Sequence, residues 1–491
     1  MTRISYTVVL ATSLFAVAYG MPSGGASADV GPFMATGFKV GEVTSHTAII
    51  WTRLTRNARR NSEDRPMVKI LYAKNARNKS RRHEVVGLEY PDGTDAGDLP
   101  GAAPGMPGQA RVAYRPSGSV SWQQTAWKKV DPERDFTRQF TIDDLKPNTH
   151  YQLRVESRDA TGDVLGQSLD GKFITAPKPD DPARIVFTVS TGQAYTDRDL
   201  PAGYKIYPLM LKLDPNFFVH TGDIVYYDRL AKSPALARYH WQRTYSLPTN
   251  VDFHRQVASY FMKDDHDTFM NDCWPSMRTK YMYQLTFKEG QAIFRYEVPM
   301  GASTYRTRRW GKDLQIWMVE GRDFRSPNNA PDGPGKTIWG ARQIEWFKRT
   351  VKASDATFRI LISPTPMVGP DRANKHDNYA NKNFTYEGDV LRKFIASQRN
   401  MVVICGDRHW QYLSVHPTTK VREYSCGPAS DKHAGGWKDS DFRPEYHRYL
   451  HVIGGFLAAT VAREHGIPTL TFRWYNTRGK VEHEDRLQAG N

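Results

Sequence analysis

The sequence predicts a layered α/β domain preceded by an all-β sandwich. Three observations carry that reading. From Arg184 onward, apolar runs that stop at polar, Gly- or Pro-marked ends alternate with stretches of helical spacing, as strands buried on both faces require. Before that point, short runs alternate apolar with polar residues, the period of half-buried strands. Between the two lies "TAPKPDDPAR", whose proline and charge mark a linker ending near Ala183.

The elements follow in order. Met1-Thr2-Arg3 is a short basic start, "SYTVVLATSLFAVAYG" an apolar core, and "ASA" at Ala26 to Ala28 a small-residue cleavage pattern before Asp29. Residues 1–28 therefore read as a signal peptide, with a secreted or periplasmic mature chain and no membrane span. The front domain, 29–180, opens with "FKVGEVTSHTAIIWTRL" around Trp51 and closes with "LKPNTHYQLRV". A tryptophan strand early and that strand late resemble a fibronectin type III sandwich. The polar, Gly/Pro-rich stretch from Asn57 to Ser119 reads as strands plus a decorated insertion. The second domain, 181–491, carries the strand-like runs "RIVFTVSTGQ", "PNFFVHTGDIVYYD", "DLQIWMVEGRDF", "TFRILISPTP" and "MVVICGDRHW". Helix-like stretches such as "GARQIEWFKRTVKAS" and "EGDVLRKFIASQ" lie between them.

Composition narrows the class. Apolar residues make up 39 % of the 491, with 12 tryptophans, enough for a packed core and against a disordered chain. The net charge of +16 suits nucleic acid, acidic polysaccharide or a phosphorylated substrate. The cations are scattered, so charge alone does not choose, and no stable nucleic-acid partner is expected. Cys273, Cys405 and Cys426 form neither a disulfide scaffold nor a zinc-finger spacing; Cys405 and Cys426 are the favoured pair for any bridge.

One window stands against the basic background. "MKDDHDTFMND" holds Asp264, Asp265, Asp267 and Asp272 beside His266. Like charges so close resist joint ionisation unless they splay into water or surround a cation. Strand ends elsewhere favour the cation. In open α/β sheets, sites form beyond the carboxyl ends of strands, and those ends carry Gln193, Asp223 with Tyr226, Glu320 to Arg325, and Asp407 with His409. Carboxylates bridge and neutralise paired cations, imidazole ligates those of intermediate softness, and a histidine outside the ligand set can protonate a leaving oxygen.

"HTGDIVYYD", "DDHDTFMND", "EGRDFR" and "CGDRHWQY", in that order, resemble the PhoD-like branch of the metallophosphoesterases. The resemblance implies a metallophosphoesterase-type layered α/β domain and a phosphomonoesterase or phosphodiesterase with a dinuclear metal centre. The metals it implies are iron with calcium, or another divalent pair such as zinc or manganese. The substrate would be a small-molecule or polymeric phosphate ester. By position, the resemblance makes Asp223 the ligand shared by both metals, Tyr226 a ligand of ferric iron, and Asp265, Asp407 and His409 further ligands. It makes His266 the general acid and Arg322 a brace for phosphate oxygens.

The chain departs from the family in three places. The family's cysteine ligand falls in the block that here reads "STGQ", with Gly192 in its place. The wider superfamily's Asp-x-His first block is missing, leaving Gln193 as a poor oxygen donor or a turn residue. Val319-Glu320 stands where Leu-Asp is usual. Two long segments, "SPTPMVGPDRANKHDNYANKNF" and "SCGPASDKHAGG", are candidates for substrate loops or plain surface loops; they bring Lys375, His376, Lys432 and His433. Two rival functions remain at this stage: a site reused on sulfated or uronate polysaccharide, and a non-catalytic, metal-stabilised carbohydrate-binding protein.

Overall fold

The computed structural model describes residues 31–73 and 83–490, so the signal segment expected over 1–28 lies outside the described residues. Two large sheets dominate. The nine-stranded sheet runs, edge to edge, Val481–Gln488, Ile467–Asn476, Gly455–Glu464, Ile185–Ser190, Phe217–His220, Ala258–Phe261, Phe38–Gly41, Ala48–Arg53 and Thr137–Ile142. The seven-stranded sheet runs Arg306–Trp310, Leu314–Met318, Phe358–Ser363, Met401–Cys405, Arg422–Cys426, Gln411–Val415 and His447–His451.

Side-chain alternation along the strands decides how the layers stack. Phe187, Val189, Phe217 and Val219 of one sheet share a cluster with Leu314, Ile316, Ile360 and Ile404 of the other, so these faces meet. The opposite faces take helices. Trp317, Leu361 and Val403 pack under Ala341–Lys352 and Thr385–Ala396. Phe261 packs under Pro234–Tyr245 and Phe287–Glu297, and Phe218 under Ile206–Leu211. Both faces of the central parallel strands are thus apolar, which is why the sequence shows continuous apolar runs there. The result is helix, sheet, sheet, helix.

The front part is a two-sheet all-β sandwich. Phe38, Val40, Ile50 and Phe140 pack against Val112, Leu153, Val155 and Phe173 of a sheet ordered Leu165–Ile174, His150–Arg158, Gln109–Pro116, Gln123–Gln124. The Tyr151 hydroxyl accepts the Lys146 N–H at 2.8 Å, a tyrosine corner of the sandwich type. The insertion folds as a hairpin, Lys69–Tyr72 with Val85–Glu89, and an irregular segment after it. That segment lies on the second domain: Tyr239 donates to the Pro100 carbonyl at 2.6 Å.

The two domains share a sheet. Phe38–Gly41 runs parallel to Ala258–Phe261, with Gly41 opposite Ser259. A Cβ on Gly41 would stand 2.6 Å from the Ser259 carbonyl, so only glycine permits this approach. Trp51 donates its indole N–H to the Tyr296 carbonyl at 2.6 Å, and Lys39 Nζ donates to the Glu297 carbonyl at 2.7 Å. Glu42 forms a buried ion pair with Arg306 at 2.6 Å. Propensity and patterning mark each strand but not this pairing, because its partners are far apart in the chain.

The favoured cysteine bridge is not formed: all three thiols are free and buried. Cys405 pairs in register with Ser425, so Cys426 is one residue out of step. Successive residues point to opposite faces of a strand, which puts the two sulfurs on opposite sides of the sheet.

A fragment starting at Pro182 keeps every strand-end motif but strips the partner from Ala258–Phe261, the strand that leads into Asp264 and Asp265. It should aggregate or lack near-UV circular dichroism, and recover both when co-expressed with 29–181. In the intact chain, Gly41→Val should lower stability by about 1–3 kcal/mol, the usual cost of overpacking. Thermal melts check both. A fragment melting like the intact chain would show the seam to be dispensable.

Candidate metal centre

Seven loops converge on one place, each following the carboxyl end of a parallel strand. Ser190 leads to Gly192, His220 to Asp223 and Tyr226, and Phe261 to Asp264, Asp265 and His266. Met318 leads to Arg322, Ser363 to Asp377, Cys405 to Asp407 and His409, and Cys426 to His433. Parallel strands all point the same way, so their ends must form a shared crevice.

The acids of the "DDHD" window divide the work. Asp267 accepts the backbone N–H of Ile224 at 3.0 Å and of Asp264 at 2.6 Å, stitching two strand-end loops together. Asp264 accepts from Arg322 Nε at 2.5 Å. Asp265 accepts from the N–H of His266 at 3.0 Å and of Asp272 at 2.6 Å. His266 donates its Nδ1–H to Asp228 at 2.9 Å, since a carboxylate can only accept. That leaves Nε2 as the ring nitrogen available to the cluster. Gly222, at φ 109°, lets this packing occur: a Cβ there would meet Asp264 Cβ at 2.7 Å.

Two clusters of donor atoms result. In the first, Tyr226 Oη lies 3.2 Å from Asp223 Oδ2, 3.3 Å from His409 Nε2 and 2.5 Å from His433 Nε2, while His409 Nε2 lies 3.4 Å from Asp223 Oδ2. Neighbouring ligands of a transition metal bound at about 2.0–2.1 Å stand roughly 3 Å apart, which is this spacing. In the second, Asp264, Asp265 and Asp407 each bring a carboxylate oxygen within 4.8 Å of the others. Asp223, Asp265 and His266 form an overlapping group of the same size, which joins the two clusters. Asp223 and Asp407 both sit in the left-handed region, at φ 56° and 62°, conformations that aspartate tolerates better than most residues.

The electrostatics fit a bound cation. Burial pushes the Asp223 carboxyl up to about 6, against the pull of His266, and raises Asp407 despite Arg408. Burial works to raise Asp265 too, but Arg322 and His266 outweigh it and hold the carboxyl below the usual range. Burial would lower His266, yet Asp228, Asp265 and Asp223 outweigh it and raise the imidazole well above its ordinary value. His409 and His433 are pushed down to about 4 by burial and stay neutral, the form that ligates metal. Among the described residues, Asp223 Oδ1 and Asp264 Oδ2 are buried without a hydrogen-bond partner. A buried carboxylate oxygen left so is costly unless a cation meets it. The donor set fits a metal centre.

The sequence-derived residues Asp223, Tyr226, Asp265, His266, Asp407 and His409 stand together. Arg322 is fully buried among the acids. Its Nη2 reaches Asp377 at 3.4 Å and Asp265 at 3.8 Å, and Nη1 has no protein partner among the described residues. Gln193 is spent elsewhere, accepting from Tyr207 at 2.6 Å. His433 arrives from the "SCGPASDKHAGG" loop. Lys375 is engaged with Asp272 at 2.5 Å, and His376 points away to Asn383. Sequence reading missed Asp228 and Asp197, the carboxylates behind His266 and His433. Asp228 closes the "HTGDIVYYD" motif but was given no role there, and Asp197 belongs to no motif.

Comparison with known proteins bears on the fold and the family. Two solved structures share the fold. One, titled as the structure of PhoD, superposes with a TM-score of 0.70 at 15% identity, over 95% of this chain and 92% of that one. The other, the purple acid phosphatase PPD1 from yellow lupin (Lupinus luteus) seeds, gives a TM-score of 0.60 at 11% identity, over 92% and 74%. Among curated proteins none matches. The PhoD-like phosphatase family model matches residues 187–442, more than half of the chain and every strand-end loop described above. The protein therefore belongs to the PhoD-like phosphatases and is a phosphoric ester hydrolase.

Proposed function

We propose that the protein is an exported phosphoesterase that hydrolyses phosphate esters at a centre of two unlike cations. The observation that carries this is the pair of donor clusters meeting at Asp223. Asp223, Tyr226 and His409 offer one cation nitrogen and oxygen ligands. Asp265 and Asp407, with Asp264 beside them, offer the other carboxylates alone. A mixed set of that kind suits a transition ion such as iron, zinc or manganese, and an all-oxygen set suits a hard ion such as calcium. When bound, the pair supplies Lewis-acid charge for the phosphoryl oxygens and a water acidified to near neutrality.

The chain's own groups do the rest. His266 carries the proton for the leaving oxygen, and Asp228 fixes its tautomer and aim. Arg322 is a positioning residue. It holds Asp264, Asp265 and Asp377 in place, and its full burial leaves no exposed edge to brace a phosphate oxygen. Arg229 stacks over the Tyr226 ring at 5.0 Å and Arg372 over Trp410 at 5.5 Å, cations that suit an anionic substrate. No described helix is long and apolar enough to cross a membrane. Residues 1–28 act as the export signal in this reading, followed by a front domain to 180 and a catalytic domain from 181. N-terminal sequencing of the exported protein should then begin at Asp29.

Asp265 and His266 should fail differently. Asp265→Ala should lose metal and activity together. His266→Ala should keep its metals and lose roughly 10²–10⁴-fold in rate on an alkyl phosphate, the usual range for a missing general acid. The loss should be much smaller on p-nitrophenyl phosphate, whose leaving group hardly needs a proton. Elemental analysis with steady-state rates on both esters checks this. Equal losses on the two esters would remove His266 from the acid role.

Tyr226 gives a spectroscopic test. Tyrosinate on ferric iron absorbs in the visible, so an iron-loaded protein should be pink to purple and Tyr226→Phe should be bleached. Colour that survives in Tyr226→Phe would remove Tyr226 from the ligand set.

A further inference from the structure

We infer that His433 is a ligand of the cation held by Asp223, Tyr226 and His409, and that it stands in for the thiolate missing at Gly192. The inference rests on the metal reading proposed above and adds a residue to it.

Three observations converge. His433 Nε2 lies 2.5 Å from Tyr226 Oη, and its ring centroid lies 4.2 Å from that of His409. It thus meets the same phenolic oxygen that His409 Nε2 approaches at 3.3 Å. Second, His433 Nδ1 donates to Asp197 Oδ2 at 2.7 Å. A carboxylate behind one ring nitrogen fixes the tautomer and aims the lone pair of the other, the arrangement that supports metal-bound histidines generally. Third, His433 fills the space that a side chain at position 192 would need. A Cβ on Gly192 would stand 3.2 Å from His433 Cδ2 and 3.1 Å from His409 Cδ2. A cysteine there and these imidazoles cannot all hold their places without a shift.

The backbone fastens the exchange. Thr191 bridges in parallel to Pro428, the Ala429 N–H donates to the Gly192 carbonyl at 3.1 Å, and Ser430 donates to the Asp197 carbonyl at 2.6 Å. The loop that brings His433 is therefore laid along the strand end that carries Gly192. The ligand set becomes one carboxylate, one phenol and two imidazoles, with no sulfur. Cys405 and Cys426 are buried in the second sheet, and Cys273 donates its thiol to the Asp265 carbonyl at 3.6 Å rather than joining the donors. Such a set favours ions of intermediate softness over soft ones.

The test reads metal rather than turnover. Apo-protein is loaded with ferric or zinc ion together with calcium, dialysed against graded chelator, and analysed for both elements. Wild type should retain two ions. His433→Gln should hold the transition ion at least 10-fold more weakly and keep calcium. Asp197→Asn, which keeps the imidazole but frees its aim, should weaken the same ion by 10–100-fold, the range for lost orienting groups. His433→Ala should regain the ion when free imidazole is added, a rescue that a merely structural role would not show. Unchanged retention of both ions in His433→Gln, with circular dichroism showing a native fold, would overturn the inference alone. A wild type that retains no metal after loading would overturn the metal reading and this inference with it.

Discussion

Buried negative charge, and where it is neutralised, sets the terms for the rest of this structure. Asp223, Asp264, Asp265, Asp267 and Asp377 are all essentially buried, and Asp407 nearly so. No packing of apolar residues makes that tolerable; each carboxylate needs a cation or a backbone amide. Arg322 answers Asp264 and Asp377, Arg408 answers Asp371 at 2.7 Å, and Lys263 answers Glu320 and Asp323 at 2.9 and 2.5 Å. Removing one partner from such a pair costs about 3–5 kcal/mol, because the other stays behind as a bare charge. The protein side chains therefore form an outer ring of positive charge that holds the inner carboxylates at close quarters.

Much of this arrangement was legible in the sequence because it is local. A strand that must be buried on both faces writes itself as an apolar run, and the loop after it writes itself as Gly-Asp. Asp223, Asp407 and the acidic window were found that way. What stayed hidden depends on separation. Asp228, at the end of "HTGDIVYYD", and Asp197, outside every motif, gain their roles only when folding sets them behind His266 and His433. His433 itself read as equally a surface loop and a substrate loop, because nothing near it in the chain says which strand its loop will lie against. The Cys405 and Cys426 reading failed for a similar reason: proximity in the chain says nothing about the face of the sheet on which each sulfur emerges.

The front domain takes part in the site at second hand. Glu63, in its insertion, accepts from the Tyr195 hydroxyl at 2.6 Å and from Arg198 at 3.2 Å. Arg60 also donates to Tyr195. Tyr195 to Arg198 is the segment that carries Asp197, which in turn aims His433. A line of hydrogen bonds thus runs from the sandwich insertion to the donor cluster. Changes in the insertion can reach the imidazole without touching any ligand. Sequence patterning marks that stretch only as polar and rich in Gly and Pro.

The shared sheet has a consequence for the chain as it is made. Phe38–Gly41 finds Ala48–Arg53 at once, but its other edge waits until Ala258–Phe261 has been synthesised, roughly 10–40 seconds later at 5–20 residues per second. An open strand edge is a template for pairing with another nascent copy. Lys39 lies in the middle of that edge strand, in register with Trp51, and in the finished protein its ammonium sits 3.3 Å from the Trp51 ring centroid. A lysine in this position keeps the waiting edge wet and unattractive to a second chain. Only when Glu297 and Tyr245 arrive is the charge drawn inside, where they supply a carbonyl and an aromatic face. The same residue is a guard during synthesis and a core group afterwards.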